Sequence, residues 1–94
     1  MTVFDTFMKL YVDNLSLFTG ESELRELFSP HGTVSEVHLA TDRMSGQSRG
    51  FAFVTMGDGH EGQAAIDALE GQLVDGCNLT VKPFLARLVE LNLL

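Results

Sequence analysis

The sequence predicts an α+β sandwich: a four-stranded antiparallel sheet with two helices on one face, in the order βαββαβ. Three observations point there. Short runs of β-forming residues alternate with two segments whose apolar residues recur at i, i+3 and i+4. The strand segments are short enough for one small sheet. Both helical segments are amphipathic, so each must bury its apolar stripe against the same core.

Lys9 to Leu15 reads as the first strand, with Tyr11 and Val12 at its centre. Leu24, Leu27 and Phe28 then share one helical face, with Thr19 expected as cap, Pro30 as stop and His31-Gly32 as turn. Val34, Val37 and Leu39 mark the second strand, and Asp42 to Ser48 is a polar loop around Ser45-Gly46. Phe51 to Met56 is the strongest strand segment. Asp58 and Glu61 form a capping-box pattern, in which Asp58 accepts from the backbone and Glu61 reaches back. Gly62, Ala65, Ile66 and Leu69 continue at helical spacing until Gly71 ends the helix. Gly59 and Gly62 each cost that helix about 1 kcal/mol relative to Ala. Leu79 to Lys82 is the fourth strand, entered through Asp75-Gly76.

The domain is expected over residues 9–83. Residues 84–94 then form an apolar tail that the four-strand unit does not need. Leu85, Leu88 and Val89 fall on one helical face, so a short C-terminal helix fits the pattern, as does a frayed end.

A chain of 94 residues builds one core, and 45% hydrophobic with 20% charged residues is a globular composition. No apolar run is long enough to span a bilayer, so no membrane is expected as a partner. No basic region precedes an apolar stretch at the start, so no secretory signal is expected. Cys77, the single cysteine, cannot form an internal disulfide or hold zinc alone. The expected place is intracellular: cytoplasmic, or nuclear in a eukaryote. His31, His38 and His60 lack metal-ligand spacing, and no glycine loop cradles a phosphate. We therefore expect no enzyme, no metal and no cofactor. The net charge of −7 counts against nucleic acid unless the basic residues gather on one face.

Strand phase brings them together. Side chains alternate across a strand, so if Leu10 and Val12 face the helices, Tyr11 and Asp13 face outward. If Ala52, Val54 and Met56 face inward, Phe51, Phe53 and Thr55 face outward. The opposite phase would expose the other apolar set instead. We expect the aromatics outward, which puts Tyr11, Phe51 and Phe53 on one solvent-facing surface, and a patch of that kind marks a binding site. Lys9, Arg49 and Lys82 lie on or beside this face, and Arg43 lies in the loop at its edge. The acids Glu21, Glu23, Glu26, Glu61, Asp67 and Glu70 sit on the helices. His38, flanked by Val37 and Leu39, also belongs to the open face.

Two segments carry a resemblance. Leu10-Tyr11-Val12-Asp13-Asn14-Leu15 and Arg49-Gly50-Phe51-Ala52-Phe53-Val54-Thr55-Met56 resemble the strand-one hexamer and strand-three octamer of the RNA-recognition-motif family. The resemblance implies a ferredoxin-like fold with strand order 4-1-3-2 and strands one and three central. Pro83 suits that order, because an edge strand tolerates a missing donor. It also implies binding of single-stranded RNA, or single-stranded DNA, by base stacking on Tyr11, Phe51 and Phe53. Arg49 and Lys82 would contact phosphates, and Lys9, Asn14, His38 and Arg43 complete the expected site. Against the family pattern, Asp13 stands where Gly or a basic residue is usual, and Cys77 where Arg or Lys is common. Met56 replaces an aromatic, and Gly62 replaces Ala, which should leave a methyl-sized gap. A second function stays open: a protein-interaction or dimerisation module whose sheet face is covered by the tail, by a partner or by a second copy.

Overall fold

The computed structural model describes residues 7–84. The chain runs β1 (Met8–Asp13), α1 (Glu21–Phe28), β2 (Val34–Thr41), β3 (Ser48–Met56), α2 (Gly59–Leu69), β4 (Leu73–Val74), β5 (Cys77–Asn78) and β6 (Thr80–Pro83). The main sheet is antiparallel in the order β2-β3-β1-β6, the expected order with β6 as the fourth strand. Pro83 pairs with Leu10 on that edge strand, where its missing N–H leaves no ladder bond unmade.

Alternation divides the sheet as expected. Leu10, Val12, Ala52, Val54 and Met56 are fully buried on the helix side. Leu24 and Phe28 from α1 and Ala65 and Leu69 from α2 close over them, with Leu15, Leu79 and Val81 completing the core. Burying each large side chain contributes about 1.5–3 kcal/mol.

Two irregularities in the ladder aim the face. Val34 lies opposite Met56 but Glu36 lies opposite Thr55, so Ser35 is an extra residue on β2. That bulge explains the sequence spacing: Val34, Val37 and Leu39 cannot share one side of a regular strand, and the extra residue lets them. The second irregularity lies in β3, between the pairs Leu39–Ala52 and Thr41–Ser48. Gly50 adopts φ 87° there, a left-handed conformation in which a side chain is strained. Its carbonyl accepts from Leu15 N–H at 2.9 Å, which fixes the end of β1 against the start of β3.

Several local expectations are corrected. Thr19 is not the cap of α1; Gly20 is, with its N–H donating to Glu23 Oε1 at 2.9 Å. Thr19 is buried instead, and its hydroxyl donates to Asp75 Oδ2 at 2.8 Å. Pro30 does not end α1, which stops at Phe28, but sits within the following 3₁₀ turn over Ser29–His31. Asp58 caps α2 as expected, accepting from Glu61 N–H at 2.8 Å. The Glu61 carboxylate, however, turns to Thr33 N–H at 3.0 Å, so the capping box is only half formed. Gly62 leaves no gap, because a methyl there would collide with the Met8 side chain. Finally, Asp75 and Gly76, expected only as the entry to the fourth strand, lie at positive φ in the turn of a small hairpin formed by β4 and β5. The tail helix lies outside the described residues.

Candidate nucleic-acid interface

Cross-strand register sets the outward side chains of the main sheet in rows. In the central row, Lys82 of β6 pairs with Tyr11, Tyr11 with Phe53, and Phe53 with His38 of β2. The next row places Lys9, Thr55 and Glu36 on β1, β3 and β2. Asp13 pairs with Thr80 at the other end of β1, on the side of Phe51. Directly opposed residues in such rows lie about 4.5–5.5 Å apart, so neighbouring side chains touch.

The three expected aromatics do meet. Tyr11 and Phe51 have ring centroids 5.9 Å apart, Tyr11 and Phe53 5.6 Å, and Phe51 and Phe53 6.2 Å, the last pair edge-to-face. These are favourable aromatic geometries, so the rings hold one another in place before any ligand arrives. All three remain partly exposed, while Ala52 and Val54 between them are buried. Two cations flank the cluster: the Arg49 guanidinium stands 5.7 Å from the Phe51 centroid and Lys9 Nζ 5.8 Å from that of Phe53. Both are cation–π distances.

The remaining expected residues are dispersed around this centre. His38 is exposed beside Phe53, and Lys82 is exposed beside Tyr11. Arg43 is exposed on the β2–β3 loop, which Asp42 folds tightly by accepting from Met44 and Ser45 N–H, both at 2.8 Å. Those backbone donors, Ser45 first, hold the Asp42 carboxyl below its ordinary pKa, and the Arg49 charge adds to the effect. Asn14 is drawn into structure: at φ 59° its amide donates to the Asn78 carbonyl at 2.8 Å and ties the end of β1 to β5. Asp13 borders the platform as expected. Partial burial of the Tyr11 ring, and then the Asp13 carboxylate beside it, raise the Tyr11 pKa above its ordinary value.

Two members of the face were not foreseen. Phe84, assigned to the tail, continues β6 by donating its N–H to the Lys9 carbonyl at 2.7 Å. Its ring meets Phe53 edge-on at 5.1 Å, making a fourth aromatic, and Lys9 Nζ lies 5.7 Å from it. The signal was the same period-two alternation, hidden because Pro83 looked like a strand end. Glu36 is the other, a carboxylate that the Ser35 bulge turns onto the open face.

The model of the RNA recognition motif family matches residues 10–80, and the chain belongs to that family. It is 47% identical over 74 residues to the putative RNA-binding protein RbpA of Nostoc sp. (strain PCC 7120), covering 79% of this chain and 72% of that protein. It is 45% identical over 73 residues to the 28 kDa chloroplastic ribonucleoprotein of Spinacia oleracea, covering 78% of this chain. That match takes in only 31% of the spinach protein. Among solved structures, the crystal structure of the RNA-binding protein PG1 superposes with a TM-score of 0.81 at 40% identity, covering 85% of this chain and 96% of that one.

Proposed function

We propose that this chain is a binding module, not an enzyme, that takes single-stranded RNA on the open face of its main sheet. The observation that carries the reading is the mutually packed cluster of Tyr11, Phe51 and Phe53, exposed to solvent and flanked by Arg49 and Lys9. Unstacked bases suit such a surface, since each stacked base contributes about 1–3 kcal/mol. Arg49 and Lys82 serve as phosphate contacts, with Lys9, His38 and Arg43 at the margins. Asn14 acts through the backbone it holds. The relatives named for RNA binding support RNA over DNA, and the chloroplast name of the spinach relative suits an intracellular setting.

Replacing Phe51 and Phe53 together by Ala should weaken binding to a short labelled RNA by at least ~2 kcal/mol, about 30-fold. Unfolding should stay cooperative, because both rings lie outside the core. For the unmodified chain, the log–log salt slope should fall at roughly −1.5 to −3, given a few phosphate contacts at about −0.7 each. A matched DNA strand titrated in parallel tests the choice of RNA. Loss of cooperative unfolding in the double variant would mean that the rings are core.

Phe84 favours a second reading of the same face. The chain leaves β6 with an aromatic already on Phe53, and Leu85, Leu88, Val89, Leu91, Leu93 and Leu94 follow it. A tail of that composition, folded onto its own sheet or onto a second copy, would compete with RNA for the platform.

A further inference from the structure

On the β2 side of the platform, Lys9, Glu36, His38, Phe53 and Thr55 line an open cavity of about 210 Å³. Phe53 and Thr55 come from β3, the strand between the two that carry the other lining residues. Lys9 and Glu36 pair with Thr55 from opposite sides, so an ammonium and a carboxylate stand on the two strands flanking β3. Those strands lie about 9.5 Å apart by ordinary strand spacing, a gap that a flat base resting on Phe53 can bridge. An acid on a phosphate-binding face opposes general affinity, so what Glu36 could recognise is a hydrogen-bond donor.

We propose that this cavity is a base-reading subsite selective for guanine. The inference rests on the reading of this face as an RNA-binding surface. Guanine presents two adjacent donors on one edge, N1–H and the N2 amino group, with the O6 acceptor next to them. A carboxylate accepts both donors at once, and an ammonium takes O6. Adenine and cytosine each present one amino donor beside a ring-nitrogen acceptor, so the second carboxylate oxygen would meet a lone pair. Uracil flanks its single N–H with two carbonyl oxygens and fits worst. Glu36 therefore supplies the selection and Lys9 the matching donor. Phe53 supplies the stacking, and His38 lies beside it toward the sheet edge.

The test titrates four labelled heptaribonucleotides, six uridines around a central G, A, C or U, against the chain and against Glu36→Gln. The expected result is that the G-containing strand binds about tenfold more tightly than all-U, the low end of what one bidentate base contact gives. The variant should shrink that ratio to within about twofold. Glu36 is exposed at the surface, so the variant keeps the fold, and the ratio is read independently of overall affinity. Equal binding of the four strands, or a G preference that survives Glu36→Gln, would overturn the subsite while leaving RNA binding in place. If none of the four strands binds, the RNA-binding reading itself fails, and the subsite falls with it.

Discussion

Gly62 shows how one residue can mislead when it is read alone. In a helix it costs about 1 kcal/mol relative to Ala, and an absent methyl suggests a void. The structure puts Met8 in that space: a Cβ on Gly62 would lie 2.9 Å from Met8 Cγ, closer than carbon atoms approach. The glycine admits a side chain from the start of β1 across the helix surface. Gly62→Ala alone should then destabilise the fold, because an overpacking cost of roughly 1–3 kcal/mol outweighs the propensity gain. In a Met8→Ala background the same change should stabilise by about 1 kcal/mol. Urea unfolding of the four proteins in the cycle measures that reversal of sign, and two effects of the same sign would remove Met8 from the account.

Helix α2 and the turn before β2 illustrate the scale of elements. Asp58 and Glu61 were expected to serve one helix end, yet the carboxylates serve different elements: Asp58 caps α2, and Glu61 secures Thr33. Glu61 reaches that turn by lying against Gly32, where a Cβ would stand 2.6 Å from Glu61 Cβ. Gly32 sits at φ 151°, so both its backbone and its lack of a side chain are needed. Asp58→Ala should cost about 1 kcal/mol, as the loss of an N-cap does. Glu61→Ala should cost about 0.5–1.5 kcal/mol, as the loss of a single hydrogen bond does. Amide exchange separates the two: the Thr33 N–H should lose protection in the Glu61 variant and keep it in the Asp58 variant. Equal exchange at Thr33 in both would restore the full capping box.

For the whole molecule, the question is how a chain of net charge −7 presents a face to RNA. Glu21, Glu23 and Glu26 lie exposed on α1, Asp67 on α2 and Glu70 just past its end, on the side away from the platform. Lys9, Arg49 and Lys82 stand on the sheet side, so the charge is distributed unevenly between the faces. Debye screening over about 8 Å at physiological salt keeps the helix acids from cancelling that face. The tail adds a second control on the same surface. Ending the chain after Pro83 removes Phe84 and the leucines behind it, and should raise RNA affinity severalfold if they cover the sheet. If they join two copies instead, sedimentation should show a dimer becoming a monomer. A shortened chain with unchanged affinity and mass would leave the tail with no part in binding.

Pattern alone determined the order of the four main strands and two helices and the alternation that gathers the aromatics on one face. Short-range periodicity gives the alternation and leaves two phases, of which the expected one, with Tyr11, Phe51 and Phe53 outward, is the one in which Leu10, Val12, Ala52, Val54 and Met56 are buried. What the tertiary structure decided depends on contacts between residues distant in the chain. Ser35 is a bulge only because Val34 must face Met56 while Glu36 faces Thr55. Thr19 leaves its cap role because Asp75 lies within reach, and Glu61 leaves its own because Thr33 does. Phe84 joins the platform because β6 runs beside Lys9. A side chain's partner is set by which strand or turn lies beside it, and local sequence carries no record of that neighbour.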